Sequence, residues 1–161
     1  MNVTLLSYTQ LLPDLAGHVI ARGAGTPQEN LIEYAGRVCY RSDERMGHSP
    51  YFISARMQEG HEDIIEHVRF VFHVEQQPLD ETVLELVNLP TVEFTRIGAM
   101  AQALDSLPVA TVVQSFDARE WIFSLNARNI RDFYSRTGGP LATALMSLAF
   151  PVMPAVFEDL L

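Results

Sequence analysis

Apolar and polar positions along this chain follow two rhythms, and each predicts its own kind of element. The opening "NVTLLSY" alternates and carries β-branched residues, which predicts a first strand. "TPQENLIEYAGRVCYRS" follows a helical period, with Leu31, Tyr34, Ala35, Val38 and Cys39 recurring on one side. Its start offers a Thr N-cap, a Pro at the first helical position and an acid in the first turn. "DERMGHSP" reads as a loop. "YFISARMQEG" reads as a second short helix, closed by Gly60 where a left-handed residue ends a helix.

Beyond Gly60, "HEDIIEHV" predicts a short helical turn and "VRFVFHVEQ" a strand. On that strand Val68, Phe70, Phe72 and Val74 share one face, and Arg69, Val71 and His73 the other. "PLDETVLELVN" predicts a helix, "TVEFTRIG" a strand, "AMAQALDSL" a helix and "REWIFSLN" a strand. "NARNIRDFYSR" places Ile130, Phe133 and Tyr134 at helical spacing and ends before Gly138. "LATALMSLAF" and "MPAVFEDLL" predict two closing helices, broken by Pro151 and Pro154. No repeat or linker interrupts this order. The expectation is an α/β (α+β) fold, a mixed sheet flanked by helices, in one domain over residues 1–161.

Charge narrows the partners. A formal net charge of -9 argues against a nucleic-acid surface, because such surfaces neutralise phosphates with cations. The eleven positive charges are all arginine. Without lysine, Schiff-base chemistry and a P-loop are excluded. Two readings of the arginines stay open: compositional drift, or a few guanidiniums that clamp a small anion bidentately. The single cysteine, Cys39, excludes an internal disulfide, and its helical spacing predicts a small core residue. No apolar run approaches membrane-spanning length and "MNVTLLSYTQ" lacks a targeting pattern, so the expectation is a cytoplasmic protein with no membrane partner.

Two stretches carry candidate chemistry. In "GHEDIIEHVRFVFHV" the histidines His61 and His67 are six residues apart, which sets them on roughly opposite sides of a helix. A zinc helix needs histidines at i and i+4, so the spacing argues against a metal. Read from residue chemistry alone, His61 and Glu62 follow the Gly60 stop and cap the next turn. In "SLNARNIRDFYSR", Asn126, Arg128, Arg131 and Arg136 surround a strand-to-helix junction. A helix that begins at Asn with an arginine in its first turn is a reasonable anion seat. Arg128 and Asp132 are also i,i+4 partners, so a plain surface ion pair is the equal alternative.

Taken in order, these segments resemble the flavin-dependent thymidylate synthases, the ThyX family. The resemblance rests on "LIEYAGRVCYRS", on the Gly-His-Glu start and Glu-His step into a Phe-x-Phe strand, and on the Asn-Ala-Arg junction. It covers roughly the first half and a block near residues 115–136. It implies FAD as cofactor, dUMP as nucleotide and assembly as a homo-oligomer (a tetramer in the family). It assigns flavin contacts to His61, Asp63, Asn126, Arg128 and Asp132, and the uracil side of the nucleotide to Arg136, one position off the family's spacing. Asp63 stands where the family carries a hydroxyl residue.

The sequence also departs from the family. Val87, Asn88 and Leu89 stand where the family's Arg-His-Arg signature is expected, and Arg96 is the only cation of "TVEFTRIGAM". The stretch before the Asn-Ala-Arg junction is shorter than in the family, and "TGGPLATALM" replaces its later continuation. Losing two charged hydrogen-bond partners, each worth about 1.5–3 kcal/mol, lowers affinity for phosphate-bearing ligands by orders of magnitude. The expectation is a divergent ThyX-like protein, impaired in dUMP methylation, that keeps some flavin or nucleotide binding. The alternatives are an enzyme completed by another subunit or partner, and a non-catalytic interaction module.

Overall fold

The computed structural model describes residues 1–76, 107, 109–117 and 119–161. The helix expected over 78–88, the strand over 91–98 and all but the last residue of the helix over 99–107 lie outside the described residues. Four strands form one antiparallel sheet in the order β1-β2-β4-β3: β1 is Asn2–Tyr8, β2 Arg69–Glu75, β3 Thr111–Gln114 and β4 Glu120–Asn126. The helices are α1 (Pro27–Cys39), α2 (Ser49–Gln58), α3 (Ala127–Thr137), α4 (Gly139–Ala149) and α5 (Pro154–Phe157). The fold is thus mixed α/β, with a sheet and packed helices as the alternation predicts.

The sheet's core face follows from period two. Phe70 pairs with Leu125, Phe72 with Phe123 and Val74 with Trp121, and all six are buried. Such cross-strand pairs fix the register, since a slip of one residue would turn every one of them to the other face. On β1 the register shifts between Leu5 and Ser7. This bulge changes the parity of the strand, so that Val3, Leu5 and Tyr8 all pack against the core. Ile130 and Phe133 of α3, with Leu141, Leu145 and Met146 of α4, complete that core.

Several expectations are corrected here. α2 begins at Ser49, inside the stretch read as a loop, because Pro50 suits the first turn of a helix. The strand β3 has only four residues, too few for its alternation to stand out. The largest correction concerns α1, which was expected to bury Leu31, Tyr34, Ala35, Val38 and Cys39. Instead Val38 is 50% exposed, Cys39 is exposed, and the buried side carries Gln28, Glu29, Asn30, Ile32, Glu33 and Gly36. Leu31 and Tyr34 pack partly against the core, while Val38 and Cys39 turn to solvent.

The inward polar face is satisfied bond by bond. Thr26 and Glu29 form a reciprocal capping box at the start of α1 (3.2 and 2.9 Å). Glu29 Oε1 also accepts from the backbone N–H of Ala155, at 2.8 Å, and Thr26 Oγ1 donates to the carbonyl of Val152, at 2.7 Å. Glu33, fully buried, accepts from Arg37 Nε and Nη2 (3.0 and 2.9 Å) and from the backbone N–H groups of Gly47 and His48, and lies 2.7 Å from Ser49 Oγ. Close helix approach depends on Gly36: a Cβ there would meet the Phe52 ring at 2.7 Å.

The Glu33 carboxylate therefore holds the loop before α2 as well as its own helix. Removing one partner of a buried, hydrogen-bonded ion pair is expected to cost about 3–5 kcal/mol. Glu33→Ala should lower the urea-unfolding free energy by that amount, while Val38→Ala on the outward face should change it by less than about 0.5 kcal/mol.

Candidate functional site

The two chemistry-bearing stretches meet at one corner. α2 ends at Gln58, and Gly60, just past its C-cap Glu59, has a φ of +81°, the left-handed conformation expected for a glycine stop. The chain then makes a 3-10 turn over Glu62–His67 and enters β2. β4 runs antiparallel to β2 with Arg69 opposite Asn126, so α3 starts beside that turn. Local sequence sets this start. Asn126 Oδ1 accepts from the N–H of Asn129 (2.8 Å), and Asn129 Oδ1 accepts from the N–H of Asn126 (3.1 Å).

Arg128 closes the corner. Its Nη1 donates to Glu66 Oε1 at 2.8 Å, and its Nε lies 3.7 Å from Glu62 Oε2. Partners 62 residues apart in sequence thereby link the Gly-His-Glu turn to the Asn-Ala-Arg helix start. The Glu66 hydrogen bond, with smaller contributions from the charges of Glu66, Asp132 and Glu62, holds the guanidinium above its ordinary pKa. The pair expected along the helix, Arg128 with Asp132, gives way to this cross-element bond. Asp132 faces Arg136 Nη2 instead, at 3.9 Å.

The remaining candidates are placed unevenly. His61 is exposed at the start of the 3-10 turn, and its side chain makes no capping bond, contrary to the capping role read from residue chemistry. Asp63 is exposed on the same turn. Asn126 is buried, and its Oδ1 serves its own helix. Arg136 lies in the last turn of α3, eight residues and about 12 Å along the axis from Arg128. The turn and Arg128 are brought together; Arg136 is not part of that corner.

Acids outnumber cations here. Glu62, Glu66 and Asp132 act on the Arg128 guanidinium, and exposed Asp63 lies on the same turn as the two glutamates. An uncharged ring with hydrogen-bonding edges suits such a corner, whereas a diphosphate would add charge where no free cation meets it among the described residues. Among those residues no group of three His, Cys, Asp or Glu side chains could hold a metal, and no helix is long and apolar enough to cross a membrane.

Residues 24–83 match the family model described as thymidylate synthase complementing protein. That stretch is thus similar to the ThyX family. It spans α1, α2, the 3-10 turn with His61, Asp63 and Glu66, and β2. Asn126, Arg128, Asp132 and Arg136 lie outside the matched residues. No curated protein matches the chain.

The sequence reading overlooked Glu66 as the partner of Arg128. Its signal was an adjacent Glu-His step immediately before the strand, which β2–β4 pairing carries to the start of α3. It also grouped Arg131 with the junction. Arg131 instead turns to the C-terminal segment, where it donates to the carbonyl of Val156 and grips Asp159 with both terminal nitrogens (2.6 and 2.8 Å).

That Arg131 hydrogen bond holds Asp159 below its ordinary pKa of 3.8. A depressed folded-state pKa contributes stability above the unfolded value, and this is lost as pH falls through the folded value. Asp159 is 57% exposed, so the contribution is that of a surface pair, about 0.2–1 kcal/mol. Asp159→Asn should be less stable than wild type by that amount at neutral pH. The gap should close in urea titrations carried well below pH 3.8.

Proposed function

We propose that this chain is a divergent ThyX-type protein, folded as one domain, that receives the ring of a flavin or nucleobase at the corner of Glu62–His67 and α3 and does not methylate dUMP. One observation carries the reading: the Arg128–Glu66 bond, which unites in space the two separate motifs that resemble the family. Arg128 and His61 would present hydrogen-bonding groups to the ring edge, with Glu62 and Glu66 fixing the guanidinium's orientation. A flavin bound there would supply hydride-transfer chemistry. The chain's own contribution is to orient the ring.

Loss of methylation follows from charge. Val87, Asn88 and Leu89 replace the family's cationic signature, and the corner itself is acidic. FAD and dUMP bring phosphates that need several charged partners to offset desolvation. The family resemblance further implies self-association.

The test uses flavin fluorescence quenching and thymidine-auxotroph complementation. Riboflavin should bind about as well as FAD, because the phosphates gain nothing at an acidic corner. Arg128→Ala should weaken riboflavin at least about tenfold, the loss of one charged hydrogen bond. The wild-type gene should not rescue growth without thymidine. Rescue, or equal riboflavin affinity for wild type and Arg128→Ala, would overturn the proposal.

A further inference from the structure

We infer that the cleft between α1 and α2 is a second, separate site, which binds a small oxyanion of the phosphate class through Arg37, Arg45 and Arg56. Four of the chain's eleven arginines fall between residues 37 and 56, in a protein of net charge -9. Folding brings three of them to one cavity of about 440 Å3, together with His48, Tyr40 and Tyr51, above the buried ring of Phe52.

The guanidiniums are held in place before any ligand arrives. Arg37 and Arg56 both lie over the Phe52 ring, at 4.7 and 5.7 Å from its centroid. Stacking of this kind fixes a guanidinium plane while leaving its N–H groups free to donate. Arg37 spends Nε and Nη2 on Glu33, which leaves Nη1. Arg56 spends Nη2 on Glu59, at 2.6 Å. Its Nε is buried and has no acceptor among the described residues. Buried donors are nearly always paired, so a missing acceptor at this position is itself a pointer to a ligand.

The countercharges do not fill the cleft. Glu33 is buried behind it, sharing its charge among Arg37 and the N–H groups of Gly47 and His48. Glu59 sits past the end of α2, and Glu44 meets the 74%-exposed Arg45 only at 3.6 Å. An oxyanion seated between the three arginines would take up the donors of Arg37 Nη1, Arg45 and Arg56 Nε. Phosphate suits this better than a carboxylate, because its oxygens can accept from several directions at once. The exposed Tyr40 and Tyr51 rings flank the opening, so a phosphate ester with a flat organic group would gain further contact there.

Isothermal titration with inorganic phosphate, in a low-salt amine buffer, tests this on the full chain. Saturable one-to-one binding is expected. Arg56→Gln should weaken it at least about tenfold and Arg45→Gln severalfold, while Arg22→Gln, an exposed arginine elsewhere, should leave it unchanged. Should Arg56→Gln misfold through loss of its stacking on Phe52, Arg45→Gln still decides, because Arg45 is largely exposed. Non-saturable heat, or wild-type affinity in Arg45→Gln and in folded Arg56→Gln, would overturn the inference. So would binding that survives in both and disappears in Arg128→Gln, which would move the anion to the other corner and leave the flavin reading to its own experiment.

Discussion

A buried carboxylate, Glu33, organises the half of the molecule that precedes the sheet. Its charge is taken out of water by a guanidinium from its own helix and by N–H groups of the loop entering α2. An unpaired charge in that position would be prohibitive, so the loop must fold back on α1 for the helix to bury its inward side at all. That constraint sets where α2 begins, and with it where Phe52 and the Gly60 stop are placed. Both clefts discussed above inherit their position from it: one lies over Phe52, the other follows Gly60.

The two clefts differ in electrostatic character although both are built on arginine. At the start of α3, Arg128 is pinned through Nη1 by Glu66, flanked by Glu62, and braces two elements. Between α1 and α2, Arg37 and Arg56 each bond one carboxylate but also lie over the Phe52 ring and keep unspent donors. A carboxylate takes up N–H donors, whereas a ring steadies a guanidinium without using any.

Most of the sheet could be read from the sequence, because Phe70, Phe72 and Val74 alternate in a strand buried on one face, where period two maps directly onto burial. The caps of α1 and α3 were legible for a similar reason: Thr26 and Asn126 act within three residues. The buried side of α1 was not. Its inward positions hold Glu29, Glu33 and Asn30, whose partners lie on segments distant in sequence, so burial there is decided by hydrogen bonds that no periodicity reports. The same limit hid Glu66. Its pairing with Arg128 depends on β2–β4 register, which becomes visible only once the strands are paired.

The bonds from Thr26 and Glu29 to Val152 and Ala155 join positions 126 residues apart. α1 leaves a ribosome well before the residues around Pro151–Ala155, so its first turn acquires these two partners only when that later segment has emerged. Loop closure over that span is slow compared with helix formation. The nascent chain must therefore hold α1 unlatched until that later segment emerges, with its carboxylates still hydrated, and the latch closes well after the helix itself has formed.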